Sequence, residues 1–213
     1  GLVPRPGTDG RVRVLAMEQL GTDRPARPYT RRGWSVRPEQ VEPLCRALVA
    51  VDDDALAGFA ADLEPVADEV VDLFLCTHGR RDVCCGGSGP VLHDELAELL
   101  ADDGSVRLWR VSHTGGHRFA PTAITFPDGY AWAHLDEATC ELIVSRAEPP
   151  ERCAEHCRGS SFLAGAPAQA ADRAALVAVG WDWADAARGV QLAAFDRSTM
   201  STTVRISGLL PDG

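Results

Sequence analysis

Two short apolar runs, 70–76 and 106–111, each break off into a glycine-rich segment that carries a pair of metal-ligand residues. The first segment reads C-T-H-G-R-R-D-V-C-C-G and holds Cys76 and Cys85. The second reads S-H-T-G-G-H-R-F-A and holds His113 and His117. Both runs have the length and composition of buried strands. Between them, residues 90–102 repeat at helical spacing through Leu92, Leu96, Leu99 and Leu100. After the second segment, 123–126 and 130–135 flank Pro127-Asp128-Gly129, a hairpin signal. Residues 136–146 then read as a helix with Asp136 as its cap. The order β-α-β-loop-β-β-α is that of a thioredoxin-like α/β sandwich, a central mixed sheet flanked by helices. In such a layer, Cys76 at a strand end, Cys85 on the loop ahead of a helix and the histidine loop meet at one sheet edge. They do so although 27 residues separate Cys85 from His113.

The rest of the chain bounds the possibilities. Its 213 residues suffice for one substantial core, or a compact domain with a flanking subdomain. We divide it into an N-terminal extension or partial subdomain, 1–65, and a thioredoxin-like domain with a C-terminal extension, 66–213. Within the first part we expect a strand at 11–16 and helices at 37–50 and 52–63. In the second we expect a late helix at 166–178 and a strand at 202–206. A net charge of −10 leaves no basic stripe to displace counterions, which argues against a nucleic-acid partner. No stretch approaches the roughly 20 apolar residues of a membrane span, and no secretory signal opens the chain. Seven cysteines, an odd number clustered near histidines, fit a reducing compartment and metal ligation better than a disulfide framework. The expected location is cytoplasmic.

Two thiolates and two imidazoles suit tetrahedral Zn²⁺ as well as an iron–sulfur cluster. The three residues between His113 and His117 include Gly115 and Gly116, which let the loop bend sharply so that both imidazoles reach one ion. Eight residues separate Cys76 from Cys85. Structural zinc sites usually space their cysteines by about two to four, so the longer loop favours a larger object.

The stretches CTHGRRDVCCGGSGPVL and HTGGHRFAPTAITFPDG resemble the sucrase/ferredoxin-like family, a branch of the thioredoxin-like ferredoxins. The resemblance is strongest from Phe74 to Asp128 and continues more weakly over Arg158-Gly159-Ser160 and Gln169-Ala170-Ala171. It implies a [2Fe–2S] cluster in a bis-histidine branch of the family, with Cys76 and Cys85 on one iron and His113 and His117 on the other. Cys84 adjoins Cys85 and is left as a spare thiol or an alternative ligand. The resemblance also implies a longer N-terminal half than this chain carries. It implies no glycosidase, and no paired-carboxylate motif is present. The expected role is a non-enzymatic electron carrier serving a redox protein partner. Neutral imidazoles in place of thiolates remove negative charge, so an added electron is repelled less. In Rieske centres that exchange lifts potentials to about −150 to +300 mV, against about −400 mV for plant-type ferredoxins. The potential here is expected above plant-type values, and falling with pH where a ligating imidazole titrates.

The remaining candidates weigh less. His78 lies on the cysteine loop, where it either tunes the site or is solvated. Arg80, Arg81, Arg110 and Arg118 give this region a basic accent, either to guide an acidic electron-transfer partner or, the favoured reading, to hydrogen-bond loop carbonyls and Asp82. Cys153, His156 and Cys157 could form a second metal site or a thiol pair. Cys45, Cys140, Trp181 and Trp183 read as packing residues. The rivals to an electron carrier are a thiol oxidoreductase using Cys84/Cys85 or Cys153/Cys157, and a structural zinc module.

Overall fold

The computed structural model describes residues 9–19, 28–65, 69–79, 83–163 and 165–210. The side chains of residues 83–85 and of His117 fall outside that description. The chain divides into two compact units, one of residues 1–18 and 30–69, the other of residues 19–29 and 70–213.

In the first unit, β1 (Val12–Glu18) pairs antiparallel with β2 (Thr30–Val36). Helix α1 (Val41–Ala50) follows a 3-10 turn at Pro38–Gln40. Trp34, Val36, Leu44, Ala47 and Leu56 form its core. Asp52 caps α2 (Asp53–Ala57) by accepting the Ala55 N–H at 3.0 Å. The helix expected over 52–63 stops at Ala57. A second 3-10 turn then carries the chain into β3 (Leu63–Glu64), which pairs with Gly33 and Trp34 of β2. Edge pairing and an Arg11–Asp62 ion pair hold that segment, and neither is visible in helical periodicity. Cys45, expected in the core, is exposed, because α1 turns Leu44 and Ala47 inward instead.

In the second unit, β4 (Val71–Cys76) is the hub of a five-stranded mixed sheet. It runs parallel to β5 (Val106–Val111) and antiparallel to β6 (Ala123–Phe126). β7 (Tyr130–Trp132) pairs with β6, and β8 (Cys157–Ser160) pairs with β7. The parallel pair is joined by α3 (Val83–Leu99), and α4 (Glu137–Ser145) follows the hairpin. This β-α-β then β-β-α arrangement, with spatial order β5-β4-β6-β7, is the thioredoxin-like fold, extended by β8 at the edge. Leu73, Leu75, Leu92, Leu96, Cys140 and Ile143 pack in its core. Each such aliphatic contributes about 1.5–3 kcal/mol when fully buried. Asp136 caps α4 as the sequence predicts, accepting the Thr139 N–H at 2.8 Å. Asp128 shapes the hairpin, accepting from Thr125 Oγ1 at 2.6 Å and the Tyr130 N–H at 3.1 Å.

Two boundaries differ from expectation. Helix α3 begins at Val83 and encloses Pro90, rather than starting at it. β7 ends at Trp132 because His134 takes a left-handed backbone, φ +52°, and turns the chain away. Beyond the sheet lie α5 (Ala166–Val179), α6 (Asp182–Asp185), and a two-stranded hairpin of β9 (Ala187–Asp196) and β10 (Ser201–Leu209). The sequence pattern marked only the late strand of that hairpin.

Candidate metal centre

Cys76 is the last residue of β4 and is 1% exposed. It is nevertheless outside the apolar cluster that contains Leu73 and Leu75. Strand alternation accounts for this: Cys76 shares a face with Asp72 and Phe74, opposite the two leucines. Asp72 is itself buried and takes a bidentate hydrogen bond from Arg107 at 2.7 and 2.8 Å, with Trp109 Nε1 donating at 2.7 Å. That charge-assisted clamp fixes β4 against β5.

The histidine loop is tied to the end of β4 at both of its own ends. Cys76 pairs with Val111, the last residue of β5, and the Thr77 N–H donates to the Val111 carbonyl at 3.1 Å. At the far end, the Cys76 N–H donates to the Thr122 carbonyl at 2.9 Å. The Thr114 and Thr122 hydroxyls meet at 2.7 Å and close the loop. His113 stands exposed two residues beyond Val111. His117 opens a 3-10 turn, His117–Phe119, whose Phe119 N–H donates to the Gly116 carbonyl at 2.8 Å.

Cys85, expected on the loop ahead of the helix, sits instead in the first turn of α3, because the helix starts two residues earlier. Three glycines and a proline in the helix's first half make poor helix formers. Close backbone approach is what they permit. A Cβ at Gly89 would lie 2.2 Å from the Cys76 carbonyl oxygen, and one at Gly86 would lie 2.3 Å from the Gly79 Cα. The start of α3 therefore rests directly on the end of β4. The same helix also contacts the His117–Phe119 turn. At backbone level the end of β4, the start of α3 and the histidine loop adjoin one another, and positions 76, 85, 113 and 117 lie on these segments. Among the described residues, which omit the Cys85 and His117 side chains, no group of three or more His, Cys, Asp or Glu is placed to hold a metal ion. Two thiols and two imidazoles, the donor types these segments carry in sequence, are a set that fits a [2Fe–2S] cluster chemically.

Arg158 is a residue that sequence reasoning did not assign to this region. Its guanidinium lies over Gly116, where a Cβ would meet Nη1 at 2.1 Å, and 4.8 Å from the Phe119 ring centroid. Gly116 has φ +72°, a conformation that favours glycine. The only early signal was the weak family resemblance around Arg158-Gly159-Ser160.

The other candidates fall into place individually. Arg110 pairs with Asp94 of α3, where Asp82 and loop carbonyls were expected as its partners. Burial holds the neighbouring His93 imidazole below its usual value. Arg80, Arg81 and Asp82 lie outside the described residues, as does the side chain of Cys84. Cys153 ends a 3-10 turn and Cys157 opens β8, both buried. Desolvation pushes the Cys153 thiol up to about 11 and the Cys140 and Cys157 thiols up to about 12. The His156 ring meets the Ala133 carbonyl at 3.0 Å. This is an environment of inert thiols, since the nucleophile is the thiolate. Trp183 is buried and Trp181 stacks near Trp132 and Arg146, so both are packing residues. No helix among the described residues is long and apolar enough to cross a membrane.

Comparison with known proteins bears on the same region. The model of a family described as sucrase/ferredoxin-like matches residues 17–159. Altered inheritance of mitochondria protein 32 of Meyerozyma guilliermondii is 29% identical over 94 residues, 43% of this chain and 33% of that protein. Its namesake in Debaryomyces hansenii is 43% identical over 56 residues, 26% of this chain and 20% of that one. The chain thus spans a third or less of the length of these curated relatives. A thioredoxin-like [2Fe-2S] ferredoxin from Aquifex aeolicus aligns structurally at 16% identity and a TM-score of 0.38, over 46% of this chain and 97% of that one.

Proposed function

Because this chain belongs to the sucrase/ferredoxin-like family, we propose that it is a one-electron carrier holding a [2Fe–2S] cluster on Cys76, Cys85, His113 and His117. The observation that supports this reading is the backbone convergence of the β4 end, the first turn of α3 and the H-x3-H loop inside the family-matched stretch. The bound cluster supplies one-electron exchange, and the protein orients and tunes it. Cys76 and Cys85 would provide anionic thiolates to the cluster. His113 and His117 would provide neutral imidazoles, which would lower the negative charge at the site and raise the potential above plant-type values. His113 is exposed, so as a ligand it would face the solvent side on which a redox protein partner could approach. The reducing conditions of the cytoplasm keep both thiols available.

The thiol oxidoreductase reading on Cys153 and Cys157 loses support, because both thiols are buried and poorly ionised. The test is anaerobic purification with visible and EPR spectra and with iron, sulfide and zinc analysis. Iron and sulfide in equal amounts and a Rieske-like reduced signal are expected. Replacing His113 or His117 with Cys is expected to shift the visible bands and lower the potential. Colourless, zinc-only protein that resists cluster reconstitution overturns the proposal. Unchanged spectra in both His variants overturn the ligand assignment.

A further inference from the structure

Beside the histidine loop, a cavity of about 320 Å³ opens between Phe119, His134, β8 and the first turns of α5. We propose that it binds a small anion bearing a carboxylate or phosphate group, gripped by Arg158 and Arg173. Its volume falls at the lower end of the roughly 300–1,000 Å³ typical of small-ligand sites. The polar lining is mainly cationic or neutral: Arg158, Arg173, His134 and Gln169. The acidic member, Glu155, is 86% exposed at its side chain and lies 3.8 Å from His156 Nε2. In a chain of net charge −10, two arginines lining one small cavity are a local reversal of sign.

Several buried or half-buried arginines of this unit are matched to carboxylates: Arg107 to Asp72, Arg146 to Asp128 and Asp185, Arg188 to Asp172. Among the described residues, Arg158 and Arg173 have no such counter-charge. A guanidinium fork matches the two oxygens of a carboxylate or phosphate and keeps its charge at any physiological pH. Ala133, Ala166 and Ala170 line the remainder, which leaves room for a short carbon skeleton. The same Arg158 guanidinium rests on Gly116 of the H-x3-H loop.

The experiment is calorimetric titration of the full chain with inorganic phosphate and, separately, with citrate, against a chloride control at matched ionic strength. Saturable 1:1 binding of one of the two probes is expected, and the tighter probe identifies the phosphate or the carboxylate as the recognised group. Arg173→Ala, at an exposed position on α5, is expected to weaken binding about tenfold or more, as loss of a charged hydrogen bond does. Arg158→Lys should weaken it similarly. Arg46→Ala, on the surface of the other unit, should leave it unchanged. Failure of both probes to bind saturably overturns the proposal. So does binding that Arg173→Ala leaves intact, or that Arg46→Ala weakens equally.

Discussion

Replacing Asp172 with Ala tests how the C-terminal elements are fastened to the sheet. Asp172 on α5 and Arg188 at the start of β9 are both fully buried, 0% exposed. The carboxylate accepts from the Ser160 N–H of β8 at 3.1 Å and from Trp183 Nε1 at 2.9 Å. It also faces Arg188 Nη1 at 3.3 and 3.4 Å. Removing one partner of a buried pair costs about 3–5 kcal/mol, because the surviving charge is left uncompensated. Arg188 keeps two carbonyl acceptors, Asp128 at 2.9 Å and Ala184 at 3.2 Å. It also keeps the ring faces of Tyr130 and Phe162 at 4.8 and 4.7 Å. Those contacts place the expected loss at the lower end, about 3 kcal/mol. In a chain of this size that corresponds to a fall in Tm of roughly 6–12 °C, measurable by near-ultraviolet circular dichroism. Asp172→Asn, which retains an acceptor for Ser160 and Trp183, should lose less. Combining Asp172→Ala with Arg188→Met should be less damaging than Asp172→Ala alone, since no buried charge is then stranded. A fall below about 2 °C for Asp172→Ala, or a double variant that loses the sum of the singles, would refute this reasoning.

Two further outcomes are expected. Gly89→Ala drives a methyl into the rigid Cys76 carbonyl, so denaturant unfolding should register a loss of about 1–3 kcal/mol. Gly87→Ala in the same helix meets nothing within 4 Å and should instead gain up to about 1 kcal/mol, so equal effects at the two positions would contradict the contact. Cys140, Cys153 and Cys157 hold their protons to about 11–12 when folded, whereas an unfolded thiol ionises near 9.0. The unfolded state therefore loses protons first, and stability present below pH 9.0 should fall as the pH rises toward 12. Equilibrium unfolding across that range checks the sign. Alkylation at pH 8 followed by mass spectrometry should label exposed Cys45 and spare these three.

The cap of α4, the hairpin at Asp128 and strands β4 and β5 were legible because their causes are local. An aspartate three residues before an open N–H, a turn triplet and a continuous apolar run need no distant partner. The two glycine-rich segments after β4 and β5 stood out for a similar reason, since spacing and glycine content survive in one dimension.

What the sequence by itself determined, then, is the order of the central elements and the two glycine-rich segments, carrying the candidate ligands, that follow β4 and β5. Only the tertiary structure decided where α3 begins, because glycines that disfavour a helix are retained for the close approach to Cys76 and Gly79. It alone decided that β3 replaces the end of a helix, that Arg188 is buried, and that Arg158 lies over Gly116. Each of these depends on residues far apart in the chain that meet only after folding. Periodicity and propensity describe what a segment prefers, whereas edge pairing, buried ion pairs and backbone contact depend on what is brought against it.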